Sequence, residues 1–377
     1  MTNPLSRRDA LRLGGILSGS ALLSSWKTIQ TWDNQLLQDT KKADENVARL
    51  CFNENPNGPS NYVKKYIAER ISGSYVYPFA QINDLAEKLA LKHGVTKDHI
   101  VITAGSTEGL RASALTFANN GKEIISCMPT FKAILDYAVD QGGELRIVPL
   151  EKDLNFDLTM IENSINFNTG LVYICNPNNP TSRLLNGLEL RDFCAKASSK
   201  TVIFVDEAYY DYIKDDQYPS MISLVKEDKD VVVSRTFSKI YGLAGLRVGY
   251  IIARPGLAKI IEKNIQANTN IIGAWSAMAA MDDTSFYSES LRINTECLDI
   301  IYDACDKNGL NYLNSNTNFV FFKTGLPASD FQQRMKEQNV LVGRPFPPFT
   351  EWCRVCTGKI EDVEKFAKAL PKALKTR

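Results

Sequence analysis

Val231-Val232-Val233-Ser234-Arg235-Thr236-Phe237-Ser238-Lys239, followed by Tyr241-Gly242-Leu243-Ala244-Gly245-Leu246-Arg247, joins a short apolar run to a lysine set among hydroxyls. The valine run reads as a strand buried on both faces. A lysine flanked by hydroxyls, with an arginine eight residues on, suits one kind of chemistry. Its amine forms a Schiff base with an aldehyde cofactor, and the hydroxyls and guanidinium hold that cofactor's phosphate.

Outward from this stretch, similar apolar runs recur: Ile100–Thr103, Glu123–Met128, Leu145–Pro149, Leu171–Cys175, Thr201–Asp206 and Val248–Ala253. Amphipathic stretches lie between them. Leu110, Ala114 and Phe117 share one stripe, and Leu190, Phe193, Cys194 and Ala197 share another. The alternation predicts an α/β fold with a mainly parallel sheet flanked by helices. After about residue 285 the texture changes to a long helical stretch (287–308), an apolar run at 319–322, a helix near 328–337 and strands at 340–342 and 353–356. That predicts a smaller α+β domain. The expected division is 76–284 for the large domain, and 44–75 with 285–377 for the small one.

Two further segments carry chemistry. Asp206 ends a run of apolar residues, where an ionised carboxylate needs a cationic partner. The loop Asn176-Pro177-Asn178-Asn179-Pro180-Thr181 is stiffened by its prolines so that an amide can project. Together with the Lys239 run, these segments resemble the pyridoxal-phosphate aminotransferases of class I/II (fold type I), and within them the histidinol-phosphate aminotransferase group. The resemblance spans roughly residues 46–370.

The resemblance implies roles for single residues. Lys239 is the Schiff-base lysine and proton carrier; Asp206 holds the proton on the pyridine nitrogen. Asn179 and Tyr209 bond the ring oxygen, and Phe131 stacks on the ring face. The phosphate falls to Ser106, Thr107, the N–H of Glu108, Thr236, Ser238 and Arg247. Tyr77, with Tyr75 as the alternative, reaches the neighbouring subunit's phosphate in a homodimer. Arg354 clamps the acidic group of the amino donor, Asn55 belongs to the segment folded over the substrate, and Arg344 is a candidate second cation at the entrance. Ser182 replaces a glycine usual in relatives, which predicts a local change in the turn without loss of Asn179. The implied reaction moves an amino group from an L-amino acid or histidinol-phosphate-like amino alcohol phosphate to a 2-oxo acid such as 2-oxoglutarate, in ping-pong order. The alternatives are a decarboxylase or a C–S lyase on the same fold, or a non-catalytic cofactor-binding protein.

Composition narrows the field. The 377 residues are 44% hydrophobic and 23% charged with a net charge of +1, so nothing electrostatic favours nucleic acid or an acidic membrane. The two histidines, His93 and His99, lack Cys or carboxylate company and read as surface residues, which argues against a metal site. The eight cysteines are scattered and read as small buried hydrophobes, Cys353 and Cys356 included. At the front, Arg7-Arg8 precedes a weakly apolar, Gly-rich stretch from Leu13 to Leu23, too short to span a bilayer. This resembles a twin-arginine export signal, so residues 1–43 are expected to be signal and linker, and the protein periplasmic or exported; the alternative is cytoplasmic.

Overall fold

A computed structural model of the chain describes residues 46–375. The export signal expected over residues 1–43 lies outside the described residues.

The first strand, β1 (Ala48–Leu50), joins a small sheet described below. The next seven build the central sheet: β2 (Ile100–Thr103), β3 (Glu123–Met128), β4 (Glu144–Pro149), β5 (Thr169–Cys175), β6 (Val202–Asp206), β7 (Val231–Thr236) and β8 (Gly249–Ala253). Their order is β2-β8-β7-β6-β5-β3-β4, and only β8 runs against its neighbours. Side chains alternate between two apolar layers. Val172, Ile174, Ile203, Val205 and Val233 face one layer; Leu171, Tyr173, Phe204 and Val232 face the other. Each fully buried Val or Ile contributes about 1.5–3 kcal/mol relative to exposure, so the continuous apolar runs and the two helical layers require one another.

Two expectations need correction here. Burial on both faces fails at the edge strand β4, where Glu144 and Arg146 face solvent and Arg146 pairs with Glu123 at 2.6 Å. An edge strand has one open side, and charge there discourages pairing with another chain. His93 is half-buried instead of superficial. Its Nε2 lies 3.0 Å from the Tyr250 hydroxyl, and burial pushes its pKa down to about 3. All eight cysteines are free and buried.

The second body has its own core. β9 (Phe319–Lys323) and β11 (Trp352–Cys356) pair antiparallel, while β1 pairs in parallel with β10 (Val340–Val342). The helices Thr284–Lys307, Ala328–Lys336 and Ile360–Leu374 bury Leu298, Ile301, Phe331 and Phe366 against Leu50, Val320 and Phe322. From β1 the chain crosses to the large sheet. The helix Asn61–Ala68, capped by the Ser60 hydroxyl on the Val63 N–H, buries Val63 in that sheet's core and packs on the helix Ile271–Asp282. Among the described residues no helix is long and apolar enough to cross a membrane.

Candidate active site

The carboxyl ends of β2, β3, β5, β6 and β7 open on one side, where ligands of open α/β sheets bind. The loops leaving them, with Phe52–Glu54 and residues 344–354 of the second body, enclose a cavity of about 570 Å³. Ser106, Thr107, Phe131, Asn179, Asp206, Tyr209, Thr236, Ser238, Lys239, Arg247 and Arg354 all line it.

The lysine is half-buried. Its Nζ donates to the Asn53 carbonyl at 3.1 Å and stands 5.5 Å from the Tyr209 ring centre. Burial, and next the Arg354 guanidinium, lower its pKa to about 8. A nucleophilic amine must be neutral, so capture of an aldehyde by the apoprotein should speed up about tenfold per pH unit below 8 and level off above it. Stopped-flow absorbance on mixing with pyridoxal phosphate measures this. A rate that keeps climbing to pH 10 would mean an unperturbed lysine.

Asp206 is 2% exposed. Its Oδ1 accepts from the Ser234 hydroxyl (3.0 Å) and the Ala208 N–H (3.2 Å), and its Oδ2 from the Tyr173 hydroxyl (3.2 Å). Among the described residues none forms an ion pair with it. Burial accordingly raises its pKa to about 6 despite those donors. A buried carboxylate in a cavity wall with no ion-pair partner among the described residues suits a cationic ring nitrogen.

The phosphate end is equally specific. The helix Ser106–Phe117 starts at Gly105 without a side-chain cap, leaving its first N–H groups and dipole to face the cavity. The Thr236 hydroxyl donates to Ser238 Oγ at 2.9 Å, and Arg247 Nη1 lies 3.5 Å from the same oxygen. Gly105 has φ +78, and a Cβ there would lie 2.2 Å from Arg247 Nη2. Strain of this kind costs about 1–3 kcal/mol. Gly105→Ala should therefore weaken pyridoxal phosphate binding roughly tenfold to a hundredfold, read by absorbance titration of the apoprotein; unchanged affinity would remove Arg247 and Gly105 from the cup. An anion cup at one end, a buried carboxylate on the wall and a lysine between them fit pyridoxal phosphate.

At the other end Arg354 is 8% exposed, with Nη1 donating to Asn179 Oδ1 (2.7 Å) and Nη2 to the Cys51 carbonyl (2.8 Å). Its buried Nε has no acceptor. Asn179 in turn points Nδ2 at the Tyr209 hydroxyl, 3.4 Å away. Ser182 adopts the left-handed conformation glycine favours (φ 56), and its N–H bonds the Asn178 carbonyl at 2.8 Å. Asn179 lines the cavity with serine at this position.

Two residues expected in the cavity, Glu108 and Asn55, stand outside it, as does Tyr77, expected at the neighbouring subunit's phosphate. Glu108 spends its N–H on the Gly105 carbonyl (3.1 Å), and its carboxylate accepts from the Ala104 N–H (2.6 Å), so it braces the turn behind the cup. Asn55 donates to the Ile240 carbonyl (2.8 Å) and Ser290 Oγ (3.1 Å), and its oxygen takes the Asn57 N–H, so it anchors the segment instead of facing a substrate. Tyr77 is 80% exposed and stacks on Phe79, away from its own chain's cavity. The sequence reading missed Asn53, Glu54, Lys132 and Phe346, which also line the cavity, as does Arg344. Asn53 and Glu54 lie in a segment already singled out. Lys132 directly follows Phe131, and no signal in the sequence marked Phe346.

Residues 45–370 match the family described as aminotransferase class I and II, and the chain belongs to that family. It is a pyridoxal-phosphate-dependent aminotransferase of fold type I. It is 36% identical over 297 residues to the histidinol-phosphate aminotransferase of Geobacillus thermodenitrificans (strain NG80-2), covering 78% of this chain and 81% of that one. With the histidinol-phosphate aminotransferase of Caldicellulosiruptor saccharolyticus it shares 36% identity over 336 residues, covering 88% and 92%. The crystal structure of histidinol-phosphate aminotransferase from Sinorhizobium meliloti in complex with pyridoxal-5'-phosphate is similar with a TM-score of 0.81 at 27% identity, covering 87% of this chain and 91% of that one.

Proposed function

We propose that this aminotransferase takes its amino group from an L-amino acid or a histidinol-phosphate-like amino alcohol phosphate and passes it to a 2-oxo acid such as 2-oxoglutarate. The carrying observation is Arg354, a buried guanidinium at the cavity end opposite the phosphate cup, which offers an acidic group a multi-donor clamp. The names of the relatives support the histidinol-phosphate side of the reading. A screen of donors against 2-oxoglutarate, following glutamate formation, tests it. Carbon dioxide or sulfide released without consumption of 2-oxoglutarate would replace it with the decarboxylase or lyase reading.

In this reading bound pyridoxal phosphate supplies an electron-withdrawing ring that makes a proton on the substrate's α-carbon acidic. The chain's residues do the rest. Ser106, Thr107, Thr236, Ser238 and Arg247 hold the phosphate; Asp206 keeps a proton on the ring nitrogen; Asn179 and Tyr209 bond the ring oxygen; Phe131 covers one ring face. Lys239, with its pKa of about 8, is neutral often enough near neutrality to take the α-proton, and its ammonium form is acidic enough to give the proton back. Arg354→Ala should raise the donor's KM about 10²-fold, the scale of one lost charge-assisted clamp. An unchanged KM in steady-state kinetics would put the clamp elsewhere.

The proposal extends to organisation. We take 76–284 as a large domain, and 44–75 with 285–377 as a small one; the packing of the helix Asn61–Ala68 favours counting that helix with the large domain. A homodimer is supported by the exposed run Tyr75, Val76, Tyr77 and Phe79 (88%, 42%, 80% and 65% exposed), which would bring Tyr77 to the neighbouring cup. Light scattering on the purified protein gives the mass, and a monomer at micromolar concentration would end that reading. Export rests on Arg7-Arg8 and the apolar stretch behind them. If it is right, replacing both arginines by lysine retains the protein in the cytoplasm; an unaltered distribution refutes it.

A further inference from the structure

Asn53 makes four hydrogen bonds in the cavity wall, and none of the roles above uses it. It is 1% exposed and has φ 56, the left-handed region that asparagine tolerates better than most side chains. Its Nδ2 donates to the Tyr209 hydroxyl at 2.8 Å. Its main-chain carbonyl accepts from Lys239 Nζ at 3.1 Å. Its own N–H and its Oδ1 both meet Cys356 Sγ, at 2.9 and 2.8 Å, the sulfur accepting from the first and donating to the second. One residue therefore touches the lysine, the tyrosine and the last residue of β11.

The consequence for Tyr209 follows from counting hydrogens. The phenol oxygen accepts from Asn53 Nδ2 and from Asn179 Nδ2 (3.4 Å), and among the described residues its own hydrogen has no acceptor. With two amides on the oxygen, the O–H is turned toward the cavity. The consequence for Lys239 is similar. A carbonyl that takes one N–H fixes the rotation of the amine, so the remaining positions on nitrogen face the cavity. Burial raises the Cys356 pKa, so the thiol keeps the hydrogen that it donates to Asn53 Oδ1.

We infer that Asn53 is a positioning residue of the transamination: through its amide it aims the Tyr209 hydroxyl at the cofactor's ring oxygen, and through its carbonyl it aims the free Lys239 amine, with the Cys356 thiol fixing its own orientation. The inference rests on the functional reading above, because the aim matters only if pyridoxal phosphate sits where that reading puts it. It deepens the reading by making the N-terminal segment part of the proton-handling apparatus and not only a cover. The charged or titratable groups acting on Lys239 are Arg354, Cys356, Glu54 and Asp206; substitution of Asn53 by glycine removes none of them, and of the four Cys356 loses one side-chain partner, the acceptor Oδ1.

Two variants test it. Asn53→Gly keeps the carbonyl and suits the positive φ, but removes the amide. Asn53→Asp keeps the shape and the acceptor for the thiol, but cannot donate to Tyr209. Both are prepared as holoenzyme and followed by the bound cofactor's visible absorbance across pH, by kcat and KM for the donor, and by thermal unfolding. Asn53→Gly should lower kcat about tenfold, the scale of one aimed hydrogen bond, with the donor KM within about threefold. It should also move the pH at which the visible band titrates by about half a unit or more. Asn53→Asp should not restore either quantity. A residue that merely fills space would lower the unfolding temperature of Asn53→Gly, leave the band's titration in place, and be rescued by aspartate; that pattern overturns the inference. If no band forms even in the unsubstituted protein, the functional reading has failed and not the positioning role alone.

Discussion

Lys239→Ala should still take up pyridoxal phosphate and should turn over nothing. Uptake survives because the phosphate cup of Ser106, Thr107, Thr236, Ser238 and Arg247 does not depend on the lysine. Turnover fails because the amine beside Asp206 and Tyr209 in the cavity wall is gone. A positioned general base supplies up to about 10⁴-fold, and here the same group also anchors the cofactor, so kcat should fall by at least about that factor. The structural grounds are the place of Lys239 in the cavity wall, its 3.1 Å bond to Asn53, and a pKa brought down to about 8 by desolvation and by Arg354. Borohydride treatment followed by peptide mass spectrometry gives a second readout. The unsubstituted protein should carry the cofactor's mass on the Lys239 peptide, and the variant should carry none. A variant with a tenth of the original kcat would show that another group carries the proton.

Asp206→Asn should separate stability from catalysis by moving them in opposite directions. Asparagine cannot hold a proton on the ring nitrogen, and kcat should fall about 10³-fold, or about 4 kcal/mol of barrier. The apoprotein should become more stable near pH 8. The sign follows from the pKa. Folding raises Asp206 from an ordinary 3.8 to about 6, so the folded chain binds the proton more tightly than the unfolded one. The stability linked to that proton is whole below about 3.8, and is lost as the pH rises through about 6. An ionised Asp206 therefore burdens the apoprotein above that range by roughly 3 kcal/mol. Asparagine does not ionise, and the Ser234 and Tyr173 hydroxyls can rotate to accept from its amide. Thermal unfolding of both apoproteins from pH 4 to 8 checks this. Parallel curves would mean that Asp206 is already compensated without the cofactor.

The same buried carboxylate shows what the sequence conveys. A run as apolar as Val202–Val205 has few places to go except a strand covered on both faces, so the position of Asp206 at its end is legible without a fold. The runs ending at Thr103, Met128, Cys175 and Thr236 are legible for the same reason, and each is found as a strand with that last residue. Since the loops after these strands emerge on one side, the sequence also assembles most of the cup. Glu108 and Asn55 show where this stops. Both sit in the right segments, yet their hydrogen-bonding groups are spent on neighbours such as the Gly105 and Ile240 carbonyls, which no pattern along the chain reveals.

By itself, then, the order of residues determined the strands of the central sheet and the places of Lys239, Asp206 and Arg247 at their ends, because burial on two faces and local spacing act over a few residues at a time. Only the tertiary structure decided which atoms meet across the cavity. Pairing of Ala48–Leu50 with Val340–Val342 carries Asn53 onto Lys239, and the antiparallel pair Phe319–Lys323 with Trp352–Cys356 delivers Cys356 to Asn53. The contacts of Asn53 with Lys239 and with Cys356 join residues 186 and 303 positions apart, and the pKa values of Lys239 and Asp206 depend on burial in the assembled cavity. Desolvation is a property of the closed cavity and of no single segment that forms it.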